Sequence, residues 1–312
     1  MGQGAAALLR HSLLWASRRR SVQRAVSGSP LTRRLVRRFV AGEGLDDAVT
    51  VARRLAARSL SVTVDHLGED TQDAADAAAE VAVHRGLVAH LAAEGLAEHA
   101  EVSLKLSALG QALDEDLAFG HALEVCEAAA AAGIAVTLDM EGHDTTDSTL
   151  RIGARLRAEH PGTGLVIQAS LRRSEADCRA LAHPGSRVRL CKGAYQEPAA
   201  LAWQRRNDIR AAYLRCLRIL VEGGASPLLA THDPALIDAC HRLMARRTAI
   251  AAPHEHQMLF GIRGDEQARL AAAGETVRVY VPFGRRWYPY LTRRMAERPA
   301  NLALVLRALG GG

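Results

Sequence analysis

Two adjacent arginines near the end of the chain, Arg293 and Arg294, have the type and spacing that suit an anion-binding site. They lie in the stretch YLTRRMAERPANL, with Tyr290 four residues before the second arginine and Glu297 four residues after the first. Side chains four residues apart are neighbours on a helix, so a ring and a carboxylate would hold the two guanidinium groups in place. Arginine offers paired N–H donors that match a carboxylate. The motif therefore predicts a site that binds a substrate carboxylate.

Lysine is the scarcest of the charged residues. Only Lys105 and Lys192 are present, which leaves 38 arginines among the 40 Lys and Arg residues. An ammonium is a compact point charge that fits where the wider guanidinium does not. Both lysines lie in runs with strand character, EVSLKLSAL and RVRLCKGAY, and neither lies on a predicted helix surface. We therefore interpret both as residues of tight functional sites; the alternative is that they persist by chance.

A third chemical motif, THDP, ends another β-rich run, SPLLATHD. We expect Thr231 and His232 to be exposed at the rim of the fold, and Asp233 to cap the helix that begins at Pro234. His232 has the side chain of a general base or a metal ligand. No second ligand stands at a suitable spacing from it, so the motif alone does not predict a metal site.

The sequence predicts neither a metal centre nor a disulfide framework. The HEH motif places His254 and His256 on one face of a short run, but no third ligand accompanies them. The cysteines are odd in number, scattered and without a CxxC pair, which favours a reducing compartment such as the cytoplasm. They are Cys126, Cys178, Cys191, Cys216 and Cys240.

A repeating pattern that begins at residue 59 must position these candidates. Eight β-rich runs, of which the seventh is the weakest, alternate with longer segments of helical character such as 71–98 and 199–223. Glycines such as Gly133 and Gly224 separate a helix from the next strand. Eight βα units in 312 residues predict an α/β fold, a (βα)8 TIM-type barrel. An open doubly wound sheet is the alternative, but no GxGxxG motif follows the first strand.

The strand-like runs carry polar side chains on one face. In EVSLKLSAL, the apolar residues alternate with Ser103, Lys105 and Ser107. Strands of a purely structural barrel are apolar on both faces, so we interpret the polar face as the wall of a partly open, hydrated interior. The alternative is a closed barrel in which the polar side chains satisfy one another. The predicted inward-pointing residues are Lys105, Asp139, Gln168, Arg189 and Tyr280.

The first 42 residues contain no Asp or Glu and many arginines, in a chain of formal net charge +6. Such a start is typical of a transit segment, an arm on an anionic membrane, a nucleic-acid-binding tail or a solvated helix. The stretch AAALLRHSLLWAS is interrupted by charge and too short to span a bilayer. We expect a cytoplasmic protein, soluble or peripheral on the inner face of the membrane, with no nucleic-acid partner. A basic helical arm is predicted at residues 1–58, and the barrel at residues 59–312.

The runs resemble, in the same order, segments of the proline dehydrogenases, which are FAD-dependent barrels that oxidise L-proline. The resemblance extends from RRFVAGE, at Arg37, to the end of the chain. It includes VSLKLSAL, LDME, VIQASL, RLCKGAY, ATHD, HEHQMLFGI, RVYVPFG and YLTRRMAER. The final arginine-pair motif is highly specific. The resemblance, and not the periodicity, implies the flavin.

The resemblance implies a substrate site at the rim of the barrel. Arg293 and Arg294 are expected to bind the carboxylate of proline. The residues expected to shape the pocket around the ring are Lys105, Asp139, Leu259, Tyr280 and Tyr290. Of all these, the ones expected to be catalytic are Lys105, Asp139, Tyr280, Arg293 and Arg294.

The resemblance also implies an FAD site. Gln168 and Arg189 are expected to contact the isoalloxazine ring, with Arg189 near N5. The remaining cofactor-binding residues, expected mainly at the ribityl and phosphate portions, are Cys191, Lys192, Gly193, Ala194, Thr231 and His232. Gln196 stands where the family usually has an aromatic residue, which bears on how adenine is held. Asp233 stands where Asn is common, and Arg298 interrupts a motif that usually continues Glu-Asn.

The function implied by the resemblance is the oxidation of L-proline to Δ1-pyrroline-5-carboxylate, with electrons passed to a quinone-type acceptor. Two other classes stay open on the sequence alone. One is another flavin-dependent barrel oxidoreductase, similar to the methylenetetrahydrofolate reductases. The other is a nucleic-acid or membrane binder that uses the basic arm.

Overall fold

The structure is a computed structural model that describes residues 36–68, 71–245 and 253–291. Eight parallel strands follow one another in chain order around a closed barrel, and the last strand pairs with the first. The predicted (βα)8 fold is therefore confirmed, including the weak seventh run. The strands are β1 Ser61–His66, β2 Ala100–Leu104, β3 Ala135–Leu138, β4 Gly164–Gln168, β5 Arg187–Cys191, β6 Ser226–Ala230, β7 Glu255–Leu259 and β8 Val277–Phe283.

Residues 36–39 and 287–291 are helical. Between them, within the described ranges, one helix precedes the barrel and one follows each of the first seven strands. They are α1 Leu45–Ala56, α2 Ala74–Ala93, α3 Glu115–Ala131, α4 Thr146–Glu159, α5 Ser174–Leu181, α6 Arg206–Glu222, α7 Pro234–Ala245 and α8 Gly264–Ala272. Short 3-10 helices lie at Ala97–His99, Leu106–Leu109 and His143–Thr145. The carboxylates of Asp73 and Asp114 accept backbone N–H groups at 2.8 Å and so begin α2 and α3. No helix in these ranges has the length and apolar character needed to cross a bilayer.

Both faces of the barrel strands are buried. The outward-facing apolar residues of β2 and β3, such as Val102, Leu104 and Leu138, are fully buried and belong to the main hydrophobic cluster under the helices. Burial of one such side chain contributes roughly 1.5–3 kcal/mol relative to exposure. A second cluster, which includes Leu190 and Tyr213, packs α5 and α6 against β4, β5 and β6. The packed outer layers hold the strand ends in fixed positions.

The segment before β1 packs on the barrel. Helix α1 lies against β1 and β8. Val36, Phe39 and Val40 are buried in one cluster with Trp287 and Leu291, which follow β8. The last part of the predicted 1–58 arm, from residue 36 onward, therefore contacts the barrel directly. The division into an arm at 1–58 and a barrel at 59–312 stays a prediction.

Candidate active site

Four of the side chains predicted to point into the barrel meet at the carboxyl ends of the strands. Asp139, directly after β3, accepts a hydrogen bond from Nη1 of Arg189 at 2.6 Å and one from Oη of Tyr280 at 2.5 Å. Lys105, directly after β2, places Nζ 3.6 Å from the same carboxylate. Lys105 also forms a buried ion pair with Asp65 of β1. The closure of the barrel therefore brings together side chains from five strand ends or interiors.

Burial and neighbouring charges set the protonation of this cluster. Burial raises the pKa of Asp65 to about 6, while the charge of Lys105 acts in the opposite direction. Burial, with the carboxylates of Asp139 and Asp65, raises the pKa of Tyr280 well above its ordinary value, so Tyr280 is a neutral hydroxyl that donates. Burial disfavours the charge of Arg189, but Asp139 and a second carboxylate outweigh it and raise its pKa. The cluster thus holds a permanent cation beside a carboxylate.

The amino-terminal half of the barrel interior is filled by ion pairs and hydrogen bonds. Arg189 donates from Nη2 to Glu101 at 2.6 Å and from Nε to Gln257 at 2.6 Å. Arg278 of β8 donates from Nε to Glu255 of β7 at 2.8 Å. All five side chains are buried. The predicted partly hydrated interior therefore does not include this half, where the inward polar residues satisfy one another, as buried charges require.

Gln168 and Gly193, both predicted to contact the cofactor, lie side by side where β4 and β5 end. The amide nitrogen of Gln168 donates to the backbone oxygen of Glu141 at 2.7 Å, and its amide oxygen accepts the N–H of Ala194 at 3.3 Å. Gly193 has a φ of +111°, and a Cβ there would stand 2.2 Å from Oγ of Ser170. Any larger residue would be strained or would displace its neighbour. The exposed backbone after β5 can therefore approach a ligand closely.

Lys192 lies in a region of net positive charge. Its Nζ is 3.5 Å from Oδ2 of Asp233, whose carboxylate also accepts two hydrogen bonds from Arg210, at 2.7 and 2.8 Å. Burial disfavours ionisation of Asp233, but the bond from Arg210 and the charge of Lys192 lower its pKa to about 2. Arg206 adds a third positive charge that acts on Lys192. Three cations around one carboxylate suit a phosphate anion.

The position of Asp233 corrects the expectation that its side chain caps the next helix. Its carboxylate binds Arg210 and Lys192, while its backbone oxygen accepts the N–H groups of Leu236 and Ile237, at 3.0 and 2.9 Å, in the first turn of α7. The side chain that the motif predicts as a cap therefore contributes to the charge balance around Lys192.

Thr231 and His232 lie between the ends of β6 and β7. Thr231 is 3% exposed, which corrects the expectation that it faces solvent, and its hydroxyl accepts the N–H of Asp233 at 3.2 Å. Nε2 of His232 accepts the N–H of Leu259 at 2.8 Å, which places the ring proton on Nδ1 in the neutral form. Arg263 donates to the backbone oxygen of His232 at 2.9 Å. His232, predicted to bind the cofactor, thus contacts Leu259, predicted to bind the substrate.

The remaining predicted residues belong to the end of β5 and to the segment after β8. Cys191, at the end of β5, is half-buried, and its backbone oxygen accepts the N–H of Ala169 at 2.8 Å. Tyr290 is buried in the cluster that joins the segment after β8 to the segment before α1. Arg293 and Arg294 lie outside the described residues. The carboxylate-binding part of the site therefore stays a prediction.

Three residues of the site were missed by reasoning from the sequence. Asp65 lies on the inner face of β1, two residues after Thr63. The alternation of side chains along the strand could therefore have indicated that Asp65 points inward. Glu141 accepts hydrogen bonds from the backbone N–H and the hydroxyl of Ser107, at 3.1 and 2.6 Å, and so joins the segments after β2 and β3. Arg210 contacts Asp233 from α6, and no local pattern indicates that contact.

Comparisons of this chain with a family model and with known proteins agree on one family. A family model described as Proline dehydrogenase matches residues 48–306. Proline dehydrogenase 1 of Bacillus subtilis (strain 168) is 36% identical over 307 residues, which cover 97% of this chain and 99% of that protein. Proline dehydrogenase of Deinococcus radiodurans is 37% identical over 284 residues, which cover 88% of this chain and 90% of that protein.

Two solved structures with the same fold belong to larger proteins. The crystal structure of proline utilization A (PutA) from Bdellovibrio bacteriovorus inactivated by N-propargylglycine matches with a TM-score of 0.78 and 25% identity, over 85% of this chain and 33% of that chain. A Bradyrhizobium japonicum PutA matches with a TM-score of 0.72 and 26% identity, over 89% of this chain and 32% of that chain. The chain therefore spans about a third of each PutA protein.

Proposed function

Because the chain belongs to the proline dehydrogenase family, we propose that it oxidises L-proline to Δ1-pyrroline-5-carboxylate with a bound FAD as the first electron acceptor. The observation that carries the proposal is the buried cluster of Lys105, Asp139, Arg189 and Tyr280 at the carboxyl ends of the strands. This end is where barrel enzymes assemble their active sites. The cluster combines cations, a carboxylate and a neutral hydroxyl, which suits an amino acid that carries both charges.

The residues of the chain divide the work of binding proline. Arg293 and Arg294 hold its carboxylate, while Lys105, Asp139 and Tyr280 form one wall beside the ring. Hydrogen bonds within the cluster fix the carboxylate and the hydroxyl before substrate arrives, so little reorganisation accompanies the reaction. Removal of a hydride from an amine carbon leaves positive charge on the substrate. The carboxylate of Asp139 is the group of this wall that favours such charge.

The described residues fit FAD. Lys192 and Arg210, with Arg206, provide positive charge for the phosphates, and the exposed backbone at Gly193 lies next to Lys192 after the end of β5. Thr231 and His232 lie next to this region and are assigned to the ribityl portion. Gln168 and Arg189, on β4 and β5, are assigned to the flavin ring. Ala194, next to Gly193, is assigned to the ribityl and phosphate portions, and Cys191 at the end of β5 to the cofactor site as a whole. When bound, the flavin supplies the two-electron acceptor of the oxidation.

The direct test is the visible spectrum of the purified protein under anaerobic conditions. We expect a yellow protein whose flavin absorbance bleaches on addition of L-proline, with no need for NADH, and a product that reacts as a cyclic imine. D-proline and pyrrolidine serve as controls and should bleach it slowly. A protein that bleaches with NADH and not with L-proline contradicts the proposal and favours a reductase of the methylenetetrahydrofolate type.

The proposal extends to a quinone-type acceptor and to contact of the arm with the cytoplasmic face of the membrane. Its support is the acid-free, Arg-rich segment 1–42, because cationic segments bind anionic lipids and quinones reside in the bilayer. Full-length protein should float with anionic vesicles at low salt, and protein lacking residues 1–36 should not. Equal flotation of the two contradicts the membrane contact and leaves proline oxidation unaffected.

A further inference from the structure

A cluster of imidazoles and one carboxylate lies at the amino-terminal end of the barrel, away from the proposed active site. His256 is the second residue of β7 and points outward, because its neighbours Glu255 and Gln257 make the inward contacts. His241 approaches it from α7, and Glu275 approaches it from the turn before β8. Three separate elements therefore direct donor atoms at one point.

The three donor atoms have the mutual spacing of metal ligands. Nε2 of His241 and Nε2 of His256 are 2.9 Å apart. The carboxylate oxygens of Glu275 lie 3.9 Å from Nε2 of His241 and 3.9 Å from Nε2 of His256. Ligand atoms on a tetrahedral zinc ion are about 3.3 Å apart, given zinc–nitrogen distances near 2.0–2.1 Å. The observed separations bracket this value, so small side-chain rotations would place one ion within reach of all three.

A fourth donor is close by. Nε2 of His254 lies 3.4 Å from Oε2 of Glu275, and its ring lies 6.0 Å from the ring of His256. Three imidazoles and one carboxylate form a nitrogen-rich, borderline-soft donor set. Such a set suits Zn²⁺ better than Ca²⁺ or Mg²⁺, which prefer oxygen ligands. The HEH motif thus supplies two of the donors, and the fold supplies the others.

The cluster combines a buried anchor with an open approach. The side chain of His256 is 1% exposed, whereas those of His241 and Glu275 are 32% and 31% exposed. The Nδ1 atom of His256 has no hydrogen-bond partner within the described residues, so its polar contacts are made at Nε2, on the side of the cluster. An ion can enter from solvent and reach a nitrogen whose position is fixed by the strand.

We propose that His241, His256 and Glu275, with His254 as the fourth donor, form a binding site for one divalent transition-metal ion, with Zn²⁺ as the best match. An ion there would connect α7, the start of β7 and the turn before β8. The start of β7 and the turn before β8 are already joined by the backbone hydrogen bond from His256 to Thr276, at 2.8 Å, whereas α7 reaches them here through the imidazole of His241. The expected consequence is a more stable barrel, because an ion that binds the folded chain alone shifts the folding equilibrium.

The test uses the full-length, flavin-loaded protein after dialysis against a chelator. Zinc chloride is then titrated into the wild type and into three variants, with a chromophoric zinc chelator as competitor. His241→Gln and Glu275→Gln each remove one donor at a partly exposed position. The matched control is His90→Gln, because His90 is also partly exposed and lies 3.8 Å from Asp46, and these two belong to no group of three possible metal ligands among the described residues.

We expect the wild type and the His90→Gln control to bind one Zn²⁺ per chain, and the His241 and Glu275 variants to bind it at least about tenfold more weakly. Zn²⁺ should also raise the melting temperature of the wild type and the control but not of the two variants. A cooperative melting transition without metal shows that a variant is folded. If Glu275→Gln does not fold, His241→Gln remains an independent test. Equal affinity and stoichiometry in the wild type and His241→Gln would overturn the proposal, as would a wild type that takes up no Zn²⁺. Either result would leave the cluster with a structural role, through the hydrogen bond between His241 and His256 and the neighbouring carboxylate of Glu275.

Discussion

The hydroxyl of Tyr280 lies 2.5 Å from Oδ2 of Asp139, and the other oxygen of the same carboxylate lies 2.6 Å from Nη1 of Arg189. One carboxylate thus joins β8 to β5 across the mouth of the barrel. Because each oxygen has its own donor, the plane of the carboxylate is fixed. The orientation that Asp139 presents to a ligand therefore depends on both partners.

Tyr280→Phe should lower the rate of flavin reduction by L-proline while flavin content stays unchanged. The change removes one hydrogen bond to a charged acceptor, worth about 1.5–3 kcal/mol, and so predicts a ten- to hundredfold lower kcat/KM. Anaerobic single-turnover kinetics measure the effect. Tyr213→Phe is the matched control, because Tyr213 is fully buried in α6 and its hydroxyl has no hydrogen-bond partner in the described part of the chain. Equal kinetics for the wild type and Tyr280→Phe would show that the bond is only structural.

The fold could be predicted because each strand carries a local signal. In β2 and β8 the polar and apolar residues alternate, and in the closed barrel the polar set faces inward. Gly133 and Gly224 adopt the positive φ values of +69° and +82° that end a helix before the next strand. Both signals act within a few residues, so they can be detected from the sequence without knowing the tertiary contacts.

The site could be predicted only in part. The alternation of side chains along a strand shows which face of the sheet a residue lies on, but not which residue it contacts. Asp139 and Tyr280 were placed on the inner face, yet their contact spans 141 residues of chain. The pairing of Arg189 with Glu101 spans 88 residues, and it fills space that the pattern alone left open to water. Burial of Thr231 depends in the same way on the strands beside it. Such contacts are set by the closure of the barrel.

Lys105→Arg should be more damaging than a charge-conserving change suggests. Lys105 is 8% exposed and lies between the carboxylates of Asp65 and Asp139, where a wider planar guanidinium displaces one of them. We expect at least a tenfold loss of kcat/KM for L-proline, about 1.4 kcal/mol, with flavin retained. Arg53→Lys, an exchange in an exposed ion pair with Glu94, is the control and should be neutral. Near-normal turnover of Lys105→Arg would show that the scarcity of lysine is accidental.

Gly193→Ala should lower the affinity for FAD. The added methyl group meets Oγ of Ser170 at 2.2 Å and imposes a side chain on a residue with φ of +111°. Gly185→Ala is the matched control, since Gly185 has φ of +82° with nothing within 4 Å of the added Cβ. It should cost only the backbone term of about 1–2 kcal/mol in stability. Titration of the flavin-free proteins with FAD measures the FAD affinity of both variants. Equal FAD affinity for the two variants would remove Gly193 from the cofactor site.

Asp233→Asn should reduce stability at neutral pH and do so progressively less as the pH falls below about 4. The folded-state pKa of Asp233, about 2, lies below the ordinary value of 3.8, so the unfolded chain takes up the proton first as the pH falls. The stabilisation is therefore complete above about pH 4 and is lost as the pH falls towards 2; its size is on the order of 2 kcal/mol. Urea unfolding at matched flavin content, between pH 7 and pH 3, measures the difference between wild type and variant. Asp46→Asn, at an exposed position, is the control and should change stability by less than about 0.5 kcal/mol. A pH-independent difference for Asp233→Asn contradicts the assignment.

Arg294→Met should separate substrate binding from cofactor binding. If Arg293 and Arg294 hold the proline carboxylate, the change removes one or two charge-assisted hydrogen bonds. The expected loss is on the order of 3 kcal/mol in kcat/KM, or about a hundredfold. FAD should stay bound, because the residues assigned to it lie on or directly after β4, β5 and β6, or on α6, and not after β8. Arg294→Lys should recover only part of the loss, since an ammonium does not make the two-pronged contact.

The ligand offers the complementary test of the arginine pair. A cyclic carboxylic acid without the amine should inhibit the wild type competitively, because it keeps the charge that Arg293 and Arg294 bind. The same acid should inhibit Arg294→Met about a hundredfold more weakly, in parallel with the loss of kcat/KM. Pyrrolidine, which lacks the carboxylate, should be a poor substrate for both proteins and should discriminate little between them. If Arg294→Met oxidises L-proline with unchanged kcat/KM, or loses its flavin and not its affinity for the acid, the arginine pair supports the structure and the carboxylate is bound elsewhere.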